Sequence, residues 1–287
     1  MPKRIKASLG AALALACAAG AGSAEPIAGY LAPDEFGVVD IVEPAPRPGD
    51  PRYETDREIF RATRALIGTP RWALATSDAR LDTASLLRDF SCAAGVALTP
   101  EEAPRLARLL DRASIDTARE TDEAKAVFQR HRPYTIDEGQ ICQAREELYD
   151  AKAHRVSYDY PSGHTTRGWT YALVLASLAP DRAQRILERG RAYGDSRFVC
   201  GAHNESAVEA GMVSATATMT AVAGKPAYQA ELADARTELA VLRVSGKPPQ
   251  GCAAETDLLK ERVMPHLSTN GDRQAAMGAP GMQGSNR

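Results

Sequence analysis

The sequence lacks the features that define several common classes of protein. Its 35 basic and 37 acidic residues leave a formal net charge of −2, so bulk electrostatics predicts no nucleic-acid partner. After residue 24, no apolar run is long enough to span a membrane, which predicts a mature chain without an integral membrane segment. Alternating strand patterns are nearly absent, and the cysteine spacings match no zinc motif. What remains is a helical globular protein, since 44% of its 287 residues are apolar.

Residues 1–24 have the pattern of an export signal. A basic start is followed by an apolar stretch over 9–19 and by Gly22-Ser23-Ala24, small residues that predict cleavage before Glu25. The apolar stretch is shorter than the roughly 20 residues that a membrane-spanning helix needs, which disfavours an anchor. The sequence therefore predicts a periplasmic or secreted protein with a cleaved signal peptide.

Four cysteines remain once this signal has been removed, namely Cys92, Cys142, Cys200 and Cys252. An even number of cysteines in an oxidising compartment favours two disulfides, and all three pairings are open. The alternative is four buried free thiols.

The rest of the chain is predicted to be one helical domain between two non-helical segments. Residues 25–54, rich in proline and glycine, predict an extended arm, and residues 267–287, which have no periodicity, predict a disordered tail. Within the domain, 55–266, apolar residues recur at helical spacing. The predicted helices cover 56–68, 79–96, 100–130, 138–153, 179–196, 205–224 and 227–246, besides the one discussed next. The fold class is therefore all-α, a single-domain helical bundle.

The stretch Tyr160-Pro161-Ser162-Gly163-His164 opens a helix that is apolar for its next four turns. Ser162 is a good N-cap, and Gly163 permits a close approach to the backbone. Free backbone N–H groups and the positive end of the helix dipole together make an anion site. The alternative is a plain helix start that carries a surface histidine.

Two other stretches supply the charges that such an anion site needs. Lys125 and Arg132 are seven residues apart, which predicts that both project from one face of a helix that ends at Pro133. Arg197 lies six residues before His203, which opens another helix. Three cations, a helix start and two histidines suit phosphoryl transfer through a phosphohistidine, in which one histidine attacks phosphorus and the other protonates the leaving alcohol. This chemistry requires no metal ion and no cofactor.

The order of these motifs resembles the signature of the type 2 phosphatidic acid phosphatase superfamily. That signature reads K-x6-R-P, then P-S-G-H, then S-R-x5-H. The stretches FSCAAG, YPSGHTTRGW and SRFVCGAH are most similar to the secreted bacterial class A non-specific acid phosphatases. The resemblance runs from about residue 30 to residue 245, and it implies an all-α fold with the active site at helix N-termini.

The resemblance also implies a role for each matched residue. His203 is the expected nucleophile and His164 the expected general acid. The expected phosphate ligands are Lys125, Arg132, Ser162, Gly163 and Arg197. The expected substrates are small phosphomonoesters, and the oligomeric state stays open, a homo-oligomer included.

The sequence departs from the family in its last motif. The family continues as H-x3-D, and its aspartate orients the nucleophilic histidine, but here that position is Ala207. Losing an orienting carboxylate costs a serine protease roughly 10⁴-fold in rate. Two hypotheses follow: a carboxylate from another segment replaces it, or the enzyme is slow. Arg167, where the family usually has an apolar residue, is either exposed or reaches the pocket.

The leading functional hypothesis is a metal-independent acid phosphatase that acts through a phosphohistidine. One alternative is a vanadium-dependent haloperoxidase, because the same charges hold vanadate in that branch of the superfamily. A second alternative is a phosphate-binding homologue with little or no turnover, because Ala207 replaces the orienting aspartate.

Overall fold

A computed structural model describes residues 27–265 of the chain. These residues form nine α-helices and one two-stranded hairpin, so the predicted all-α fold is confirmed. The helices are α1 Pro51–Thr63, α2 Pro70–Ser77, α3 Thr83–Ala94, α4 Pro104–Phe128, α5 Gly163–Leu178, α6 Ala183–Cys200, α7 Glu205–Ala223, α8 Pro226–Ser245 and α9 Cys252–Lys260. The predicted signal peptide, 1–24, and the predicted tail, 267–287, lie outside the described residues.

Helix α5 is the central helix of the bundle. Most of its side chains are buried, including Tyr171, Ala172, Val174 and Leu175, as expected for a helix that is apolar on all sides. It packs against α4, α6 and α7. The approach of α7 is close at Gly211, where a Cβ atom would lie 2.8 Å from the carbonyl oxygen of Ser162. The first turn of α5 is therefore enclosed by its neighbours.

The helix predicted over 138–153 is wrong. This segment contains a 3₁₀ turn, Arg145–Leu148, followed by the antiparallel strands β1 Tyr149–Asp150 and β2 Arg155–Val156. Two local constraints explain the difference. Cys142 forms a disulfide with Cys200 at the end of α6, and the Asp150 carboxylate accepts the backbone N–H groups of the turn between the strands. Within 138–153 only Leu148 is buried, so the apolar spacing does not correspond to a packed helix face.

The predicted helix over 100–130 ends early, and the predicted position of Arg132 on it is wrong. Helix α4 stops at Phe128 because Gln129 adopts a left-handed conformation with φ 49°. Arg132 lies beyond this turn in extended backbone, with φ −72° and ψ 149°. Lys125 and Arg132 therefore do not share a helix face, and the turn at Gln129 brings them together instead.

Residues 27–50, within the predicted arm, contain no helix or strand but pack against the bundle. Leu31, Val38 and Val42 are buried, and the Asp116 carboxylate on α4 accepts the backbone N–H groups of Tyr30 and Leu31. Helix α1 begins at Pro51, four residues before the predicted boundary.

The described cysteines form two disulfides. Cys92–Cys252 joins α3 to α9, and Cys142–Cys200 joins the loop before β1 to the end of α6. Of the three pairings left open by the sequence, the structure has this one. Cys200, in the second disulfide, is three residues before His203.

Candidate active site

The first turn of α5 forms one wall of the site, as the sequence predicted. Ser162 is fully buried and is the N-cap, and its Oγ accepts hydrogen bonds from the Thr165 backbone N–H at 3.3 Å and the Thr165 hydroxyl at 3.0 Å. A hydroxyl accepts two hydrogen bonds and donates one, so the Ser162 proton stays free for a bound oxygen. A Cβ at Gly163 would lie 3.2 Å from Lys125 Nζ, which places that ammonium group at the helix N-terminus.

His203 lies in the turn between α6 and α7, just before the N-cap Asn204. Arg132 Nη1 lies 3.0 Å from its Nε2, and because a guanidinium only donates, Nε2 accepts. Nδ1 is therefore the protonated nitrogen, and it donates to Asp159, 2.9 Å from Oδ1 and 2.8 Å from the backbone carbonyl. This tautomer leaves the lone pair on Nε2, on the side of the cations.

Asp159 supplies the carboxylate that is missing at position 207. It is fully buried, and its two oxygens accept the Asn204 backbone N–H at 3.1 Å and the Asn204 side-chain amide at 2.7 Å. Burial raises the pKa of Asp159, and the charge of Arg130, whose Nε lies 3.8 Å from Oδ2, acts against that rise. Ala207 itself is buried in an apolar cluster with Val38 and Val42.

One of the two hypotheses placed the orienting carboxylate on another segment, but the sequence did not identify Asp159, because helical spacing applies only to residues near His203. Even those residues are not related to His203 by helical spacing, since His203 precedes α7, and Asp159 lies 44 residues earlier in the chain. Its only sequence signal is its position two residues before Pro161, in the segment that opens α5. Ser206, in the first turn of α7, donates to Asp56 rather than to His203.

The three predicted cations are all at the site and largely out of solvent. Arg132 and Arg197 are 3% and 0% exposed, and the Lys125 side chain is 17% exposed. Burial, with repulsion from Arg132, lowers the pKa of Lys125 to about 8, and burial lowers the pKa of Arg197 to about 10. Arg197 donates from Nη2 to Gln143 at 2.7 Å, whereas its Nε and Nη1 are buried without a hydrogen-bond partner among the described residues. An anion would satisfy these groups.

His164 faces His203 across the site, with 6.4 Å between the ring centroids. Its Nε2 donates to the carbonyl oxygen of Ala79 at 3.0 Å, so the neutral ring presents Nδ1 as its free nitrogen. Burial and the charge of Arg197 lower the pKa of His164 well below its usual value. Burial and Arg132 do the same to the pKa of His203. Both rings are therefore neutral at pH 7.

These groups meet at a cavity of about 250 Å³. The predicted site residues on its wall are Lys125, Arg132, Gly163, His164 and His203. Ser162 and Arg197 are buried and do not line the cavity, but Ser162 precedes Gly163 and the charge of Arg197 acts on both histidines. Larger cavities on the described surface, such as one of about 590 Å³ between α3, α6 and α9, contain neither histidine.

The arrangement suits a small tetrahedral anion. The buried donors of the site can bind several oxygens of one anion at once. Their charges stabilise negative charge far better there than they would in water. A nucleophilic nitrogen and a second imidazole on opposite sides of that anion are the groups required to break and remake one bond at its central atom.

Comparison with known proteins agrees with this chemistry. Residues 115–229 match the PAP2 superfamily model. The chain is 41% identical over 206 residues to an acid phosphatase of Zymomonas mobilis subsp. mobilis, covering 72% of this chain and 76% of that protein. It is 34% identical over 220 residues to a non-specific acid phosphatase of Salmonella typhimurium, covering 76% and 86%. A non-specific acid phosphatase of Providencia stuartii is 31% identical over 204 residues, covering 71% and 81%.

Proposed function

Because this chain belongs to the non-specific acid phosphatases of the PAP2 superfamily, we propose that it hydrolyses phosphomonoesters through a phosphohistidine formed on His203. The observation that carries the proposal is the pair of imidazoles on either side of a cationic cavity, with the Nε2 lone pair of His203 fixed by Asp159. The named relatives are acid phosphatases, which supports this function over a haloperoxidase.

The substrate phosphate binds where the buried donors are unpaired. Lys125, Arg132 and Arg197 neutralise its charge, and the Ser162 hydroxyl and the Gly163 backbone N–H bind its oxygens. Arg197 Nε and Nη1, which have no hydrogen-bond partner among the described residues, donate to these oxygens. These cations supply the charge stabilisation of the transition state, so the proposed reaction uses no metal ion.

The chemical step proceeds in two displacements at phosphorus. Arg132 Nη1 transfers its hydrogen bond from His203 Nε2 to a phosphate oxygen, which frees the lone pair of that nitrogen. His203 Nε2 then attacks phosphorus as the bond to the ester oxygen breaks, and His164 gives its proton to the departing alkoxide. Water then attacks the phosphohistidine, His164 takes a proton from that water, and the P–N bond breaks to release phosphate. Asp159 accepts from His203 Nδ1–H throughout, which stabilises the positive charge on the ring.

The pKa values of the two histidines suit activity in acid. The lowered pKa of His203 keeps its Nε2 unprotonated below the usual histidine range. His164 must carry a proton, and a bound phosphate dianion raises its pKa again by opposite charge. Activity is therefore expected to be highest on the acid side of neutrality.

The test is to trap the covalent intermediate. p-Nitrophenyl phosphate is mixed with enzyme, quenched in alkaline denaturant, and the protein is analysed for a phosphoryl group by mass spectrometry. Wild type and His164→Ala are expected to carry the group on His203, because this leaving group needs no general acid. His203→Ala is expected to carry none, and His131→Ala, which changes an exposed histidine, is the control. Phosphate release by His203→Ala at the wild-type rate would contradict the proposal.

We also propose that the protein works outside the cytoplasm. Two disulfides are typical of an oxidising compartment, and residues 1–24 have the composition of an export signal. Among residues 27–265, no helix is long and apolar enough to cross a membrane. Mass analysis of the protein recovered from periplasm or medium is expected to find a chain that begins at Glu25.

A further inference from the structure

A buried ion pair between Arg130 and Asp56 lies beside the carboxylate of Asp159. Arg130 is in the loop after α4 and Asp56 is on α1, and 2.7 Å separates Nη2 of the arginine from Oδ2 of the aspartate. The two side chains are 5% and 1% exposed, and neither lines the catalytic cavity. Removing two charges from water costs about as much as their attraction returns, so a buried ion pair is weak evidence of a stabilising role. This pair therefore calls for an explanation other than stability.

The guanidinium of Arg130 is held in one position by its neighbours. Its Nη1 donates to Ser206 Oγ at 2.6 Å, and Ser206 is the third residue after His203. Asp56, which accepts from Nη2, also accepts the backbone N–H of Ser206 at 2.9 Å. The backbone carbonyl of Arg130 in turn accepts the backbone N–H of Asp159 at 2.9 Å. These bonds fix the charge of Arg130 relative to both members of the His203–Asp159 pair.

The third nitrogen of this guanidinium, Nε, is left for Asp159. It lies 3.8 Å from Oδ2 of Asp159 and has no hydrogen-bond partner among residues 27–265. That distance is too long for a hydrogen bond, but at that distance an opposite charge strongly favours the ionised form of a carboxyl group. Burial raises the pKa of Asp159, which is 0% exposed, and the charge of Arg130 is the largest influence that lowers it. Arg132 and Lys125 also act on Asp159, but bound phosphate offsets their charges in the proposed reaction.

We propose that Arg130, held by Asp56, is a positioning residue that keeps Asp159 negatively charged while His203 attacks phosphorus. This inference rests on the proposed function for the role of His203. The ring of His203 becomes positively charged in that step, and a carboxylate stabilises this charge whereas a neutral carboxyl group does not. The charged and titratable groups that act on Asp159 are Arg130, Arg132, Lys125, Tyr134 and His203, and those next to Arg130 are Asp56, Asp159, Tyr53 and Tyr160.

The test is the pH dependence of kcat for p-nitrophenyl phosphate in Arg130→Gln. The new amide keeps a donor for Asp56 but carries no charge, so the pKa of Asp159 rises and its carboxylate is protonated at a higher pH. The acid limb of the kcat profile is expected to move up by about one to three pH units. Arg130→Lys keeps the charge and is expected to return the limb close to its wild-type position. In an Asp159→Asn background, Arg130→Gln is expected to leave the limb in place, because no carboxylate remains to be protonated.

Infrared difference spectra follow the same protonation without any turnover. A protonated-carboxyl band that is absent from Asp159→Asn belongs to Asp159, and in Arg130→Gln this band is expected to appear at a higher pH than in wild type. If the band moves as expected but wild type hydrolyses no ester, the proposed function fails and the control of Asp159 by Arg130 stands. If wild type hydrolyses the ester and neither the band nor the limb moves, the inference is overturned and the proposed function stands.

Arg189→Gln is the matched control. Arg189 and Asp78 form another buried ion pair at the same distance of 2.7 Å, with side chains that are 1% and 0% exposed. This variant is expected to have a lower melting temperature and an acid limb at the wild-type pH. Arg130→Gln/Asp56→Asn removes both charges of the pair, so it keeps the test available if the unpaired Asp56 prevents the single variant from folding, and its limb is expected to move in the same direction. A limb at the wild-type pH in this variant, or a shift that persists in the Asp159→Asn background, would overturn the proposal.

Discussion

At the scale of single residues, the carboxylate that contacts the histidine is at a different position in the chain from the aspartate of the family motif. Asp159 contacts Nδ1 of His203, and Asn204, the residue after that histidine, holds both oxygens of Asp159. The turn before α5 and the turn before α7 are thereby joined by a buried network. The geometry required of an orienting acid is met, although the residue that the family motif names is alanine.

Replacing Asp159 is expected to affect the rate rather than substrate binding. In Asp159→Asn the backbone carbonyl of residue 159 still accepts from Nδ1–H, but the neutral amide no longer stabilises the positive charge that His203 gains when it attacks phosphorus. We expect kcat to fall by about 10²- to 10⁴-fold, as in other histidine–carboxylate pairs, with little change in the inhibition constant of phosphate.

Asp116→Asn is the control, because it changes another fully buried carboxylate that lies on α4 and binds the backbone at Tyr30. This control is expected to lower thermal stability but to keep kcat. Equal rates in Asp159→Asn and wild type would show that the carboxylate does not orient the nucleophile.

Restoring the family's aspartate at position 207 is expected to destabilise the fold without raising kcat. In Ala207→Asp the new carboxylate enters an apolar cluster that includes Val38 and Val42, and Nδ1 of His203 already has its partner. A buried, unpaired charge costs several kcal/mol, so we expect a lower melting temperature and no gain in kcat. The measurements are thermal unfolding and steady-state kinetics, and a large rise in kcat would instead show that Asp159 is a poor substitute.

At the scale of the elements, the disulfide Cys142–Cys200 links the active site to a loop. Gln143, next to Cys142, accepts from Arg197, and Cys200 lies three residues before His203. The other disulfide, Cys92–Cys252, joins α3 to α9 away from the histidines. The two disulfides are therefore expected to differ in their effect on catalysis, even though both reduce the conformational entropy of the unfolded chain.

Removing the two disulfides one at a time tests which of them affects activity as well as stability. The bridges close loops of 58 and 160 residues, and chain entropy predicts a loss of about 4 to 5 kcal/mol for each. We expect Cys142→Ser/Cys200→Ser also to raise the inhibition constant of phosphate, because Gln143 no longer fixes Arg197. Cys92→Ser/Cys252→Ser is the matched control and is expected to keep that constant below its own melting temperature. The same loss of phosphate affinity in both variants would contradict the local role.

The elements also show what could be predicted from the sequence and what could not. Apolar spacing and the Ser162 N-cap predicted α5, because those signals are local to one helix. Spacing failed over 138–153, where a disulfide and a hairpin turn set the backbone. It also passed over α2 and α9, which are 8 and 9 residues long and offer too few turns for a pattern. Asp159 was beyond such reasoning because its contact with His203 is made only by the tertiary fold.

At the scale of the whole molecule, the described chain keeps three cations together in a largely buried site. Burial and mutual repulsion oppose this charge, as the lowered pKa values of Lys125, Arg132 and Arg197 show. A bound anion reduces the electrostatic repulsion within such a cluster, so phosphate is expected both to bind tightly and to stabilise the fold.

The pKa of Lys125, about 8, predicts the pH dependence of phosphate binding. Below that pH the amine is charged and attracts phosphate, and as pH rises through it the charge is lost. We expect the inhibition constant of phosphate to rise by up to tenfold per pH unit above about 8. In Lys125→Arg the guanidinium stays charged, so the rise is expected to disappear or to move to higher pH. An identical pH profile in the two proteins would assign the titration to another group.

The contact between Asp159 and His203 also bears on how loss of function is inferred in proteins of this kind. An acid that orients a histidine is identified by the ring nitrogen it contacts, and in this chain that acid lies 44 residues before the histidine. The absence of an aspartate after the histidine therefore does not by itself identify an inactive relative. The residue two places before the proline-serine-glycine turn has to be inspected as well. Here that residue is Asp159, which contacts Nδ1 of His203 although the position four residues after the histidine is alanine.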